Sequence, residues 1–274
     1  MKDIIFFSFI LCGIIYSTFI ERKLLISKKF NIKKENIQNI NTKIKVVQFT
    51  DVHLGRYFSL KDLEKVVDKI NSLNPDIVVL TGDLVDKMKF YQHKEEIPKV
   101  LSKINSTLGN FAIYGNHDAY PGNRHSYAKI IKNSNFTLLI NENKKIKIGS
   151  KTLNLMGLDD IFQGKINIDS TTKDIDKNDF NLLMLHEPDL IDKFKGQPID
   201  LAVAGHSHGG QIYVPLYGTI LNTECAVKYD RGFHSIGDNN QDKIKLYVNT
   251  GIGSTGLPIR FWNIPNVVEF NIEF

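Results

Sequence analysis

Residues 44–53 read Ile-Lys-Val-Val-Gln-Phe-Thr-Asp-Val-His, an apolar run that ends in an aspartate and a histidine. A short apolar run rich in β-branched residues predicts a buried strand, here over 44–50. Residues 60–72 then place four apolar side chains at helical spacing: Leu63, Val66, Val67 and Ile70. This spacing predicts an amphipathic helix, so the chain enters its main domain with the beginning of a βαβ unit.

Further apolar runs continue this alternation along the chain. They predict a helix within 97–106 and strands at 77–81, 111–114, 137–140, 145–148, 152–157, 182–185, 201–204, 211–214, 245–249 and 267–272. Because early βαβ units give way to β-rich sequence, we expect an α/β domain over 43–274 with two packed mixed β-sheets flanked by helices. A chain of 274 residues is long enough to bury the core of such a domain.

Side chains that can bind metal follow five of the predicted strands, where each strand ends. In chain order the motifs are Asp51-Val52-His53, Gly82-Asp83, Gly115-Asn116-His117-Asp118, His186 and Gly205-His206-Ser207-His208. Ligand sites in α/β sheets gather at the carboxyl ends of strands, so these side chains can converge in one crevice. Cys12 and Cys225 are the only cysteines, so a metal site must use His, Asp, Glu or Asn.

Each motif by itself has a structural alternative. A Gly-Asp pair is commonly a turn, and a single histidine such as His186 is commonly a core residue. Residues 205–210 could be an ordinary glycine-rich loop. However, five of the chain's eight histidines directly follow apolar strand-like runs. This shared placement favours a single site.

The order of these five motifs resembles the calcineurin-like metallophosphoesterase superfamily, from about residue 44 to the C-terminus. Three features look like its membrane-associated bacterial phosphodiesterase branch: an apolar N-terminal segment, Asp-Val-His-Leu-Gly at 51–55, and Gly-Leu-Pro-Ile-Arg-Phe at 256–261. Some members of that branch act on UDP-diacylglucosamine or related lipid precursors. The resemblance implies a sandwich of two sheets and metal-dependent cleavage of a phosphoester bond.

The resemblance also implies how two divalent ions would be held. Seven residues would share this role: Asp51, His53 and His208 at the first ion, Asn116, His186 and His206 at the second, and Asp83 as a bridge. Carboxylate, imidazole and amide ligands suit manganese, with iron or zinc as alternatives. A bridging carboxylate can hold two cations about 4 Å apart, a spacing that suits phosphoryl transfer and activation of a shared water.

Four more residues are candidates for catalysis or substrate binding. The position of His117 implies a catalytic group that stabilises the transition state or protonates the leaving group, and Asp118 could orient its imidazole. A turn residue is the alternative for Asp118. Arg56 and Arg260 are candidates for binding the substrate phosphate, because guanidinium pairs with phosphate oxygens in bidentate fashion. An ordinary surface position is the alternative for both arginines.

The N-terminus carries an uncharged apolar run of 17 residues over 4–20. This length is at the short end for a helix that crosses a bilayer, and we expect one transmembrane helix within an anchor over 1–21. A cleaved signal peptide is the alternative. It is disfavoured because Lys2 is the only basic residue before the run and no small-residue cleavage site follows it.

Positive charge is concentrated directly after this run. Residues 21–45 sum to +6, whereas the whole chain sums to +5. We expect residues 22–42 to form a basic linker that lies against anionic lipid headgroups; a solvated lysine-rich linker is the alternative. The positive-inside tendency would place the catalytic domain on the cytoplasmic side of the membrane. The rest of the chain carries little net charge, which argues against a specific nucleic-acid partner.

These observations predict a membrane-tethered, two-metal enzyme that cleaves a phosphodiester or pyrophosphate bond in a lipid-linked or nucleotide-sugar substrate. A tethered phosphomonoesterase or nuclease with the same site is the nearest alternative. A non-catalytic, membrane-anchored binding module is a third hypothesis. Such a module is expected to lose ligand residues, and every motif position here retains a residue that can bind metal.

Overall fold

The structure, a computed structural model, describes residues 2–35, 42–237 and 243–274. The α-helices are α1 (Lys2–Ile15), α2 (Leu60–Ser72), α3 (Ile97–Leu101), α4 (Asn116–Ala119), α5 (Arg124–Asn133) and α6 (Ile168–Thr171). The strands are β1 (Ile26–Lys33), β2 (Lys43–Phe49), β3 (Ile77–Leu80), β4 (Gly109–Ala112), β5 (Phe136–Leu138), β6 (Glu142–Ile148), β7 (Lys151–Gly157), β8 (Phe180–Met184), β9 (Leu201–Ala204), β10 (Tyr213–Val214), β11 (Gly218–Thr219), β12 (Gly232–Ile236), β13 (Ile244–Val248) and β14 (Asn266–Glu273).

Two six-stranded mixed sheets form the centre of the fold. The first has the order β1-β14-β2-β3-β4-β5, and the second has the order β12-β13-β9-β8-β7-β6. Strands β2 to β5 are parallel, as are β7, β8, β9 and β13, while β14 runs antiparallel to β2. The two sheets and flanking helices confirm the predicted α/β sandwich.

The core has three layers of apolar contact, because the central strands are buried on both faces. Val46, Phe111 and Phe270 of the first sheet pack against Leu182 and Val203 of the second. The other face of the first sheet packs against α2, α3 and α5. The outer face of the second sheet packs against a 3-10 segment, Pro188–Phe194.

Helix α2 forms over the predicted residues. Ser59 caps its N-terminus, and Ser59 and Asp62 form a reciprocal capping box. The four apolar residues identified by their spacing are buried: Leu63, Val66, Val67 and Ile70. This helix therefore directs the chain from the end of β2 back over the sheet to the start of β3.

The prediction of a basic linker over 22–42 is wrong for Ile26–Lys33, which forms edge strand β1 and pairs in parallel with β14. The lysines of this segment also contact acids of the folded domain. Lys29 and Lys33 pair with Glu269 and Glu273, and Lys34 pairs with Asp200 at 2.7 Å. Part of the expected headgroup-facing charge is thus neutralised within the protein. Residues 36–41 of the predicted linker lie outside the described residues.

The N-terminal segment starts with α1, continues through a π-helical turn (Tyr16–Ile20) and ends in a 3-10 turn (Glu21–Lys23). Within the described part of the chain, no helix combines the length and apolar character needed to cross a membrane. Ser17 and Glu21 are buried. The end of this segment is therefore integrated into the domain rather than separate from it.

Candidate metal centre

The seven proposed ligands meet in the crevice where strands of both sheets end. Asp51 and His53 follow β2, Asp83 follows β3, and Asn116 begins α4 after β4. From the second sheet, His186 follows β8, and His206 and His208 follow β9. Six of the seven are buried, with Asn116 half-buried at the opening.

The first group comprises Asp51, His53 and His208, whose donor atoms lie within 4.8 Å of one another. His53 Nε2 lies 2.9 Å from His208 Nε2, and Asp51 Oδ1 lies 3.5 Å from the same His208 nitrogen. Two nitrogens that each lie about 2.1 Å from one ion would be roughly as far apart as His53 Nε2 and His208 Nε2 are here. The three side chains therefore fit a common cation.

The second group comprises Asp83, His186 and His206 at the same mutual spacing. Asn116 Oδ1 adds a fourth donor, 3.3 Å from His186 Nε2. Asp83 Oδ2 lies 3.5 Å from His53 Nε2 and 3.4 Å from His186 Nε2. The Asp83 carboxylate thus lies between the two groups, as a bridging ligand would.

Two histidines are already oriented for metal binding by hydrogen bonds at the far side of the ring. His186 Nδ1 donates to the Thr81 carbonyl at 2.7 Å, and His206 Nε2 donates to the Glu224 carbonyl at 2.8 Å. A proton at these positions leaves the other ring nitrogen with a lone pair directed into the site. This arrangement suits an imidazole ligand. Burial acts to lower the pKa of His186, but Asp83 outweighs it and raises that pKa well above its usual value, so an ion would have to displace the second proton of this ring.

The backbone at the site is strained. Five of the seven proposed ligands have left-handed φ angles between 47° and 69°: Asp51, His53, Asp83, His206 and His208. Non-glycine residues seldom adopt this conformation, and it is commonly associated with functional sites. Two glycines provide the space that these loops require: a Cβ on Gly115 would overlap Asp83 Oδ1, and one on Gly205 would overlap Asp51 Oδ2.

The side-chain charges also favour cation binding. Burial lowers the pKa of His53 to about 3 and that of His206 to about 4, so both imidazoles stay neutral. Burial acts to raise the pKa of Asp83, but the adjacent His186 and His117 outweigh it and hold that pKa well below its usual value. Burial raises the pKa of Asp51 to about 6, partly against the charge of His186. A cation would offset the cost of two carboxylates buried together.

Comparisons with known proteins agree with this geometry. The sequence model described as calcineurin-like phosphoesterase matches residues 44–210, a span that contains all seven proposed ligands. The chain belongs to this family. It is accordingly a metal-dependent hydrolase of phosphoester bonds.

Individual relatives of this phosphoesterase cover most of its length. The uncharacterized metallophosphoesterase YkuE of Bacillus subtilis (strain 168) is 34% identical over 260 residues, which are 94% of this chain and 89% of YkuE. UDP-2,3-diacylglucosamine pyrophosphatase LpxG of Chlamydia trachomatis is 27% identical over 82% of both chains. The solved NAD nucleotidase NadN of Haemophilus influenzae is similar in fold, with a TM-score of 0.54 at 13% identity over 77% of this chain and 46% of NadN.

His117 lies beside the phosphoesterase site and is 26% exposed at its side chain. Its Nδ1 donates to the Asp86 carbonyl at 2.6 Å, and its Nε2 lies 4.0 Å from Asp83 Oδ2. Burial acts to lower the pKa of His117, but Asp83 and the carbonyl and carboxylate of Asp86 outweigh it, so the pKa lies above its ordinary value. The ring is thus fixed at one nitrogen and can carry a proton toward the site with the other.

The prediction that Asp118 orients the His117 imidazole is wrong. Asp118 is fully buried and accepts from the backbone N–H groups of Asp83, Leu84 and Gly115, at 2.6, 3.1 and 3.1 Å. The structure supports the alternative of a loop-capping residue. Asp118 ties the loop of Asp83 to the loop that begins α4, while the Asp86 carbonyl orients His117.

Arg260 does not take the predicted substrate-binding role either. The side chain is fully buried, it donates to the carbonyls of Thr250, Gly253 and Asn263, and it lies 3.2 Å from His208 Nδ1. These bonds occupy the guanidinium behind the proposed ligand His208. Arg56, in contrast, is exposed and lines a cavity together with His117, so its phosphate-binding role stays a prediction.

Three residues that support the site were not identified from the sequence. Asp86 holds His117, Asn263 donates to the carbonyls of His208 and Gly209, and Glu21 accepts from the backbone N–H of Asn263. The sequence offered two signals: an acid three residues after Asp83, and an asparagine just after Phe261 and Trp262. The pairing of Glu21 with Asn263 joins residues far apart in the chain, and no local pattern reveals it.

Proposed function

We propose that this phosphoesterase cleaves a phosphodiester or pyrophosphate bond, with two divalent ions held by the seven clustered residues, in a lipid-linked or nucleotide-sugar substrate at a membrane. The observation that carries the two-ion part is the position of Asp83. Its Oδ2 lies almost equally far from His53 Nε2 and His186 Nε2, at 3.5 and 3.4 Å. A single carboxylate in this position can serve both ions.

The reaction needs the chain's own residues in defined roles. When bound, the two ions would supply a Lewis acid for the phosphate oxygens and a means of activating water. His117 would protonate the leaving oxygen through Nε2, because its Nδ1 proton is engaged by the Asp86 carbonyl. Arg56 would bind an outer phosphate oxygen from the rim of the site.

The space around His117 supports a substrate with substituents on both sides of the phosphorus. One cavity of about 990 Å³ and another of about 690 Å³ both include His117, Asp86 and Phe90 in their walls. Lys87 lines both cavities, and the larger one also contains Lys89 and Lys94, which would suit an anionic substituent such as a second phosphate. A phosphate with two substituents can fill both spaces, whereas a monoester can fill only one.

Two observations support a lipid-linked substrate. The relative from Chlamydia trachomatis is named a UDP-2,3-diacylglucosamine pyrophosphatase and matches 82% of this chain. In addition, the N-terminal segment exposes large apolar side chains, including Leu11 and Phe19 at 58% and 61%. We propose that this segment keeps the enzyme at a membrane, with its catalytic domain on the cytoplasmic side.

The test uses the purified full chain, stripped of metal and reloaded separately with manganese, iron, zinc or magnesium. We expect the manganese form to hydrolyse a chromogenic phosphodiester faster than the matching monoester. Asp83→Asn should abolish turnover and reduce the bound metal below two ions per chain. Full diester activity in the stripped protein or in Asp83→Asn would contradict the two-ion proposal.

A further inference from the structure

A small hairpin directly after the metal-ligand loop presents apolar side chains to solvent. In this hairpin, β10 and β11 pair Tyr213 with Thr219. Between them, Leu216 is fully exposed, and Tyr217 is 78% exposed. Large exposed apolar groups that lie together are uncommon on soluble monomers and usually mark a binding surface.

A second loop adds to this surface. Phe261 bonds with Gln211 and Tyr213 through the backbone, which holds residues 257–262 against the base of the hairpin. The loop exposes Leu257 and Trp262, the latter at 61%. We call the four side chains on these two loops the tip surface: Leu216, Tyr217, Leu257 and Trp262.

Two of these side chains belong to residues with an unfavourable backbone conformation. Leu216 and Trp262 have left-handed φ angles of 72° and 55°. A bulky residue in this conformation is strained, and it gains nothing here from burial within the protein. A partner that takes the two side chains out of water would offset this cost.

The tip surface is continuous with the apolar N-terminal segment. The backbone N–H of Arg260 donates to the Ser17 carbonyl at 3.1 Å, and that of Asn263 donates to Glu21. Residues 257–263 therefore hold the hairpin on one side and the end of the N-terminal segment on the other. Phe19 and Ile20, next to Ser17, are exposed at 61% and 49%.

Positive charge lies at the base of the hairpin. The Arg231 guanidinium stacks over the Tyr213 ring at 4.1 Å. Burial lowers the pKa of Lys28 on β1, and the charge of Arg231 lowers it further. Cations beside exposed leucine, tyrosine and tryptophan suit the interface of a bilayer that contains anionic lipids.

We propose that the tip surface inserts into the headgroup region of an anionic bilayer and, together with the N-terminal segment, holds the opening of the metal centre beside the lipids. A bilayer fits better than a second copy of the chain, because β10 and β11 have two residues each and offer little edge for pairing. The proposal rests on the proposed function only for the nature of the substrate: a lipid-linked phosphoester could reach the site without leaving the membrane.

Trp262 is the only tryptophan in the chain and provides a direct probe. The full chain is mixed with vesicles of phosphatidylcholine containing phosphatidylglycerol, or of phosphatidylcholine alone. We expect Trp262 emission to shift to shorter wavelength, to be quenched by brominated acyl chains, and to respond more strongly to the anionic vesicles. Leu216→Glu with Tyr217→Glu should remove the quenching and weaken vesicle binding about tenfold.

Ile140→Glu is the matched control, since Ile140 is 38% exposed between β5 and β6, at the sheet edges opposite β1 and β12. It should bind vesicles as the unmodified chain does. Vesicle binding without any change in Trp262 emission would overturn the proposal, and so would an emission shift that depends on protein concentration in the absence of lipid. Neither result would affect hydrolysis of a water-soluble diester by the unmodified chain, which tests the proposed function separately.

Discussion

The Arg260 guanidinium lies 3.2 Å from His208 Nδ1, on the side of the ring opposite the nitrogen that faces Asp51 and His53. The same guanidinium binds the carbonyls of Thr250 and Asn263. An arginine first considered for substrate binding therefore positions a proposed metal ligand. Burial lowers the pKa of Arg260 to about 10, and Asp51 and Glu21 partly oppose this shift. The side chain still carries its charge at neutral pH.

Arg260→Ala should lower the free energy of unfolding by about 3 kcal/mol, because it leaves buried carbonyl groups without a donor. Arg260→Lys should retain the fold but lose the planar guanidinium that lies beside His208. We expect Arg260→Lys to weaken binding of one of the two ions about tenfold. Calorimetric metal titration checks this, with the exposed Arg56→Lys as control. Equal loss of both ions would indicate a general structural effect instead.

His117→Asn should lower kcat about 100-fold or more and leave two ions bound per chain, because His117 is predicted to move a proton rather than hold metal. His186→Asn provides the contrast, since it should lose metal together with activity. Metal analysis and diester kinetics on the same samples separate the two effects. Loss of an ion in His117→Asn would assign His117 to the ligand set.

Asp118→Asn should lower the free energy of unfolding by about 1–3 kcal/mol, because an amide cannot accept from three backbone N–H groups as well as a carboxylate does. The pH dependence of kcat should keep its midpoints. The exposed Asp174→Asn is the control for the charge change. If Asp118 acted through the His117 imidazole, the pH profile would move while the stability stayed the same.

Much of this fold and site could be predicted from local patterns. The apolar runs located β2 and β3, and the spacing of Leu63 to Ile70 located α2, because both elements bury a regular face. The strand-end motifs brought together Asp51, Asp83 and His208 for the same reason. These elements are encoded within a few consecutive residues.

The parts of the fold and site that local patterns did not predict depend on contacts between residues far apart in the chain. Strand β1 was missed because its lysines are paired with acids on or near β14, which made an edge strand resemble a solvated linker. The roles of Arg260 and Asp118 depend on which carbonyl and N–H groups surround them after folding. Sequence motifs identified both positions but could not distinguish a contact with substrate from a contact with the backbone.

Glu187 predicts a pH dependence of stability. Both of its carboxylate oxygens lack a hydrogen-bond partner among the described residues. Burial raises its pKa well above the ordinary value of 4.5, His186 opposes the shift, and Asp160 adds to it. The folded chain thus keeps a proton that the unfolded chain releases above about pH 4.5, so stability should fall as pH rises through the folded-state pKa.

Glu187→Gln removes this titration. The variant should match the unmodified chain in urea unfolding at pH 4 and be more stable than it at pH 8. The comparison is made at equal metal loading, since Glu187 follows His186 directly. A stability difference of the same size at both pH values would show that the effect comes from altered side-chain packing and not from the proton on Glu187.

The N-terminal segment should be required for folding of the catalytic domain. Deletion of residues 2–41 removes β1, the Glu21 contact to Asn263 and the Lys34–Asp200 ion pair between β1 and the second sheet. It also leaves the β14 edge exposed, and we expect an insoluble or partly unfolded product that binds fewer than two ions. Deletion of residues 2–15 keeps Ser17, Glu21 and β1, so it should fold and bind metal normally. Thermal unfolding and metal analysis of both products check this. A stable fragment 42–274 with two ions and an unchanged melting midpoint would show that the segment is only an attachment.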